Sequence, residues 1–250
     1  MEQYRTECNV MYYDFDYKTA YYVADNDLLD FYSHYNRLIN NGHKICFMEK
    51  KKDIGPLIVD IDFMLQGPDR QYTKKHIEII VKELIQCCSE YPNTCKNDTM
   101  IIVEEKSCPV YKPNTGKYKD GINIILSAPF DQRAREHILN HLRCKSKDKK
   151  WFYDMLLDDK ITGDNIFDVE QTFYPLYGSE KSGSSYKITH IYNYDMTEQD
   201  ITQYSTLQKI IMCSTRKYNK CGFNIFSDIS NAHKNKNTDQ SNHEFPTIYV

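Results

Sequence analysis

Apolar and polar positions along this chain fall into blocks whose period switches between about 3.6 and 2, which separates helices from strands. Over residues 25–39 the set Leu28, Leu29, Phe31, Tyr32, Tyr35, Leu38 and Ile39 recurs at helical spacing. Asn26 or Asp27 is placed to cap that helix, and Asn40-Asn41-Gly42 to end it. A strand is expected over 44–50, and a second through Leu57-Ile58-Val59-Asp60-Ile61-Asp62-Phe63, punctuated by Gly55-Pro56 before and Gly67-Pro68 after. Ile77, Ile80, Val81, Leu84 and Ile85 predict a helix over 73–89. Then follow a short strand at 100–103, a polar loop over 104–120, a strand over 121–127 and a turn at Pro129. A helix is predicted over 131–142, a basic run at 143–150 and another helix over 151–157. Strands are expected from Ile166 and over 186–194, and a short helix or strand over 206–213. This order predicts an α/β or α+β domain over 1–226, with helices packed on a mixed sheet. The Ser-, Asn-, His- and Lys-rich residues 227–250 read as a polar linker or tail.

The strand through Asp60 and Asp62 carries the chemistry. Side chains two apart on a strand share a face, so the two carboxylates stand side by side within an apolar run. Like charges there repel and are costly to desolvate, and a divalent cation between them removes both costs. Carboxylate oxygens are the donors that Mg²⁺ and Mn²⁺ prefer, which points to metal-assisted phosphate chemistry. Asp-x-Asp is also common at solvated strand ends, and only the apolar flanks separate the two readings.

Composition narrows the setting. With 250 residues, 32 basic and 35 acidic, the net charge is −3, so any nucleic-acid contact must come from local patches. No run reaches the roughly 18 apolar residues of a membrane span. The N-terminus has no apolar signal core, and nine cysteines without disulfide rhythm suit a reduced, intracellular protein. His137, His141 and Cys144 share a helical face, and Cys87, Cys88, Cys95 and Cys108 could cluster. No Cys-x-x-Cys pair supports structural zinc, and buried cysteines are the default. The absence of a Gly-x-x-x-x-Gly-Lys-Ser/Thr loop excludes a helicase motor in this chain.

Two further segments complete a set. Lys117-Tyr118-Lys119-Asp120-Gly121-Ile122-Asn123-Ile124 leads a lysine-bearing loop into a strand with one polar residue, Asn123. Ile166-Phe167-Asp168-Val169 adds a carboxylate, and Tyr177-Gly178-Ser179-Glu180-Lys181 offers backbone N–H groups and a cation to phosphate. In this order the three segments resemble the archaeo-eukaryotic primase superfamily. The likeness is nearest to the primase domain of the D5-like primase-helicases of large nucleocytoplasmic DNA viruses, and it covers roughly residues 44–194. Met48-Glu49 with the Asp-x-Asp strand looks like the first family block, Lys119 to Ile124 the second, and Asp168 with Tyr177 to Lys181 and Tyr186-Lys187-Ile188-Thr189 the third. The family usually carries His where this chain has Asn123, and an amide cannot supply that positive charge to a triphosphate.

The resemblance implies an α/β unit followed by an RRM-like sheet, with the carboxylates in the cleft between. It implies template-directed nucleotidyl transfer on single-stranded DNA from NTPs or dNTPs, with Asp60, Asp62 and Asp168 holding two Mg²⁺ or Mn²⁺ ions. Lys119, Asn123, Ser179 and Lys181 would line the phosphates. It further implies a helicase partner, joined C-terminally or in trans, and work at a viral replication site or in the host cytoplasm. The basic run Arg143, Lys145, Lys147, Lys149 and Lys150 could grip template phosphates and Trp151 stack on a base, or the run could be a solvated face with Trp151 in the core. Two other functions fit the same residues: an impaired, nucleic-acid-binding module of a replication complex, motivated by Asn123, and a metal-dependent nuclease.

Overall fold

A computed structural model describes residues 12–14, 19–91, 99–152, 166–167, 172–181, 184–218 and 222. Two antiparallel sheets organise them. The smaller takes β1 (Tyr12–Asp14), β2 (Thr19–Tyr21), β3 (Phe47–Lys50) and β8 (Phe173–Pro175), in the order β2-β1-β3-β8. The larger has β4 (Gly55–Leu65), β7 (Lys117–Phe130), β5 (Met100–Lys106), β10 (Ser184–Asn193) and β9 (Glu180–Lys181) in that order, and β6 (Val110–Lys112) pairs with β7. The four α-helices among the described residues are α1 (Leu28–Asn40), α2 (Lys74–Cys88), α3 (Gln132–Lys149) and α4 (Thr206–Cys213).

Alternation along β4 decides which side of the large sheet receives which layer. Leu57, Val59, Ile61, Phe63 and Leu65 point to one face, where they pack with Ile122, Ile124 and Leu126 of β7 against Ile77, Ile80, Val81 and Leu84 of α2 and Ile138, Leu139 and Leu142 of α3. Thr73 starts α2 through a reciprocal capping box with His76, and Asp131 caps α3 by accepting from the Ala134 N–H. On the other face Ile58, Ile102, Ile125, Ile188 and Ile191 meet Tyr174 of β8 and Cys213 of α4, so the small sheet's last strand lies over the large sheet.

Several sequence expectations change. The polar residues 104–120 are not one loop: β5 runs on to Lys106, β6 occupies 110–112, and β7 starts at Lys117. Pro129 lies within β7 and makes no turn. The basic run 143–150 is the last two turns of α3, and Trp151 and Phe152 follow in a turn. Residues 206–213 form a helix. The helix expected over 151–157 and the tail 227–250 fall mostly or wholly outside the described residues.

After α4 the chain turns into the core with an unusual sequence. Ser214, Thr215, Arg216 and Lys217 are all buried. The polar groups of Ser214 and Thr215 are met by Glu49 of β3, itself buried. Its carboxylate accepts from Tyr32 Oη at 2.6 Å, Ser214 Oγ at 3.1 Å, Thr215 Oγ1 at 2.8 Å and the Thr215 N–H. Thus α1, β3 and the segment after α4 close on one carboxylate.

Lys217 is enclosed with a bond to the Met212 carbonyl at 2.7 Å, and burial pulls its pKa from the usual 10.5 down to about 8. Between pH 8 and 10.5 the unfolded chain binds this proton and the folded chain does not. The group's contribution to stability therefore rises with pH across that window. Lys217→Met is expected to stabilise the fold by about 1–3 kcal/mol at pH 7, with the gain fading toward pH 10.5. Denaturant melts at pH 7 and pH 10 check this, and a gain that grows with pH would contradict it.

Candidate active site

Antiparallel pairing of β4, β7 and β5 lays a row of polar residues across the face turned toward the small sheet. Asp60 stands opposite Asn123, and Asn123 opposite Glu104. One pleat further, Asp62 stands opposite Gly121, and Lys119 follows on the same face of β7. These residues come from segments about sixty positions apart. Only the finished sheet brings the carboxylates, the amide and the lysine together.

Asp62 pairs with the Lys119 ammonium, so the lysine expected at a phosphate rests on a carboxylate here. Lys106, on the same face of β5, sits 5.9 Å over the Tyr186 ring. Burial lowers its pKa, and the neighbouring Lys119 charge lowers it further. Gly121 has a steric reason. A Cβ there would come within 2.5 Å of Tyr186 Oη and 3.1 Å of Asp62 Oδ1, so glycine makes the space in which the tyrosine hydroxyl approaches the aspartates. Burial raises the Tyr186 pKa, and the charges of Asp60 and Asp62 add to the rise.

Glu104 is buried. Its Oε2 accepts from Tyr174 Oη at 2.7 Å and Asn123 Nδ2 at 3.4 Å. Burial raises its pKa against the opposing effect of these bonds and the Cys213 thiol. Beside it lies a narrow cleft lined by Glu104, Asn123, Tyr174, Tyr177, Gly178 and Tyr186.

The remaining expected site residues are placed unevenly. Ser179 borders this cleft, but its hydroxyl lies 3.0 Å from Tyr35 Oη, donates to the Phe47 carbonyl and accepts the Phe47 N–H. That is a structural duty: it fastens the Tyr177-Gly178 turn to β3. Gly178 permits the turn with φ of +85°, a region costly for other residues. The Lys181 backbone is in β9, opposite Ser184. Asp168 lies outside the described residues, but its neighbour Phe167 bridges to Ile61, between the two aspartates, and the Ile166 carbonyl accepts the Asp62 N–H at 2.8 Å.

The basic end of α3 lies on the helix side of the sheet, away from the carboxylate row. Lys145 and Lys149, with His141, gather on Glu83 of α2 at 3.8, 3.2 and 3.0 Å. Trp151 is only 7% exposed and packs in the helix-side core, so its ring offers no face to a base. Lys147 and Lys150 are exposed. His137 lies 3.8 Å from Glu90, and the Cys87 thiol is buried and pushed up to about 11.

Glu104, Lys106 and Tyr174 escaped the sequence reading, and Tyr186 entered it only as part of the third family block. The signal available for the first two was the alternation Val103-Glu104-Glu105-Lys106, which continues a strand through charged residues.

The family model described as the C962R protein N-terminal AEP domain, an archaeo-eukaryotic primase type, matches residues 11–192. The chain belongs to this family. The AEP domain is also similar to "Putative helicase L207/L206" of Acanthamoeba polyphaga mimivirus, with 28% identity over 172 residues, 66% of this chain and 18% of that protein. A second relative is "Putative helicase 184R" of Invertebrate iridescent virus 6, with 26% identity over 212 residues, 75% of this chain and 22% of that protein. The chain thus spans about a fifth of the length of these relatives. The mixed architecture, helices on one face of an antiparallel sheet and a smaller sheet on the other, is consistent with the AEP fold. Among the described residues no helix is long and apolar enough to cross a membrane.

The donor set suits a hard divalent cation. Asp60 and Asp62 present only oxygen on one strand face, and Asp62 is already matched to a positive group. Among the described residues no three acidic, histidine or cysteine side chains are arranged to hold a metal ion, and Asp168 is not one of those residues.

Proposed function

We propose that this AEP domain is a primase or primase-polymerase, joining nucleotides on a single-stranded DNA template by metal-assisted transfer. The observation that carries the reading is the shared face of Asp60 and Asp62, flanked by Lys119 and Lys106, within a domain of the primase family. Asp60 and Asp62, joined by Asp168, would hold Mg²⁺ or Mn²⁺. The bound metal would acidify the attacking hydroxyl and neutralise the triphosphate.

The chain's own groups do the rest. Lys119 pairs with Asp62 and would be released to the phosphates if a cation took over that carboxylate. Lys106 adds a second cation on the same face. Lysine suits this duty as a mobile point charge. Asn123 has its amide N–H committed to Glu104, so charge neutralisation of the phosphates falls to the lysines rather than to a residue at position 123. We also propose that the domain works beside a helicase, supported by the helicase names of its viral relatives and by the small share of their length that it spans.

The test is synthesis and extension on end-labelled single-stranded DNA with Mg²⁺ and with Mn²⁺. Product that needs template, nucleotide and metal is expected. Metal-dependent shortening of the labelled strand without incorporation would instead mark a nuclease. DNA binding with no turnover in either metal would mark a binding module.

A further inference from the structure

The hairpin of β6 and β7 carries positive charge out from the aspartates. Alternation along β7 puts Lys117 and Lys119 on the face of Gly121 and Asn123, which is the face of Asp60 and Asp62. On the neighbouring strand Lys112 stands opposite Lys117, and Lys106 of β5 shares the same face. Lys106, Lys112, Lys117 and Lys119 thus form a stripe two strands wide, in a chain whose net charge is −3. Burial lowers the Lys106 pKa, and the charges of Lys119 and Lys112 lower it further, so these ammonium groups act on one another. Like charges gathered in this way repel, and a polyanion laid along them removes that cost.

The stripe rests on a built hairpin. Its turn is closed on the Lys112 carbonyl by the N–H groups of Thr115 and Gly116, at 3.1 and 3.0 Å. On the reverse side Tyr111 packs on Tyr118 with ring centroids 5.2 Å apart, and Tyr118 packs against the helix-side core. All four lysines keep part of their surface in water.

The reach of the stripe selects the ligand. Lys106 and Lys119 adjoin Asp62, where the phosphates of one nucleotide would lie. Lys112 and Lys117 stand four residues of strand beyond Gly121, about 14 Å further along. An anion that engages the whole stripe is a chain of phosphates longer than one triphosphate. The two strands lie about 5 Å apart, the width of one sugar-phosphate backbone and not of a duplex. If the domain transfers nucleotides as proposed above, that chain is the strand it copies.

We propose that the β6–β7 hairpin is the template-binding surface, with Lys112 and Lys117 holding the phosphate backbone of single-stranded DNA and Lys106 and Lys119 left to the incoming nucleotide. The basic end of α3 is not this surface. It lies on the opposite side of the sheet, with Lys145 and Lys149 drawn to Glu83.

The experiment uses the whole chain and a fluorescein-labelled single-stranded DNA oligonucleotide, read by anisotropy in EDTA from about 50 to 200 mM salt. The variants are Lys112→Gln/Lys117→Gln, Lys112→Arg/Lys117→Arg and, on α3, Lys147→Gln/Lys150→Gln. Melting curves check that each one folds. The hairpin glutamine pair is expected to weaken binding about tenfold at low salt. It is also expected to flatten the log–log salt slope by about 1.4, since each single-strand phosphate contact contributes about 0.7. The arginine pair is expected to restore both values, and the α3 pair to change neither.

Unchanged affinity and slope in the hairpin glutamine pair, an equal loss in the α3 pair, or no rescue by arginine overturns the proposal. So does a wild type that binds no single strand, or duplex DNA that competes as well as unlabelled single strands. Incorporation with Mn²⁺ separates this surface from the transfer reading. Hairpin-dependent binding without incorporation keeps the surface and removes the transfer. Incorporation whose KM for template is unchanged in the hairpin glutamine pair does the reverse.

Discussion

Replacing Asp60 and Asp62 together by alanine is expected to lower nucleotide incorporation by at least about 10³-fold, since metal stabilisation of a phosphoryl transition state supplies several kcal/mol. The same change is expected to leave the melting temperature unchanged or slightly higher. Two like charges on one face of a packed strand repel each other. Lys119, a third exposed, loses its partner but can turn to water. Loss of activity with retained stability separates a site from a structural ion cluster. A second readout needs no turnover. A cation that binds only the folded chain raises its melting temperature with concentration, by mass action. Mg²⁺ or Mn²⁺ is therefore expected to stabilise the wild type and not the variant. Turnover that survives the double change, or a metal effect that persists in it, would place the cation elsewhere.

Glu49→Ala is expected to have the largest effect on stability of any single change discussed, about 3–5 kcal/mol, or on the order of 10 °C in melting temperature. The carboxylate receives Tyr32 Oη, Ser214 Oγ, Thr215 Oγ1 and the Thr215 N–H, and its removal strands these donors in a dry interior. Glu49→Gln is expected to cost clearly less. Its oxygen can take the Thr215 donors while its NH₂ group faces Tyr32 and Ser214, whose hydroxyls rotate to accept. Chemical denaturation of both variants measures the difference. Equal losses would mean that filling the space, not accepting hydrogen bonds, is what Glu49 contributes.

Those two carboxylate sites were unequally legible. Asp60 and Asp62 stood out because strict alternation exposed them within an apolar run, and the physics of a period of two needs no partner strand to be visible. Residues 214–217 could not be recognised as buried: Ser-Thr-Arg-Lys has the composition of a solvated turn, and the acceptor that matches Ser214 and Thr215 inside the core is Glu49, some 165 positions earlier. The charged end of β5 failed for a related reason. Glu104, Glu105 and Lys106 break the hydrophobic signal, although Glu104 faces the cleft while Glu105 meets Arg70 at 2.7 Å. The two readings of the 143–151 run separate only through tertiary contacts. Lys145 and Lys149 are drawn to Glu83, and the Trp151 ring is in the core. The strand order itself, which puts Asn123 between Asp60 and Glu104, is a property of long-range pairing that local pattern does not encode.

The place of β4 at the end of the large sheet carries one more consequence. An outermost strand displays a column of backbone donors and acceptors that can recruit a strand from another molecule. This one is eleven residues long and largely apolar, a poor candidate to be left bare. Among the described residues, what meets its open side is the short stretch of Ile166 and Phe167, through the Asp62 amide and the bridge at Ile61. The Ile166-Phe167 stretch, next in sequence to the proposed ligand Asp168, therefore also guards this edge against self-association. A truncated chain stopping short of Ile166 would lose the proposed ligand Asp168 and, with the same cut, expose an aggregation-prone border.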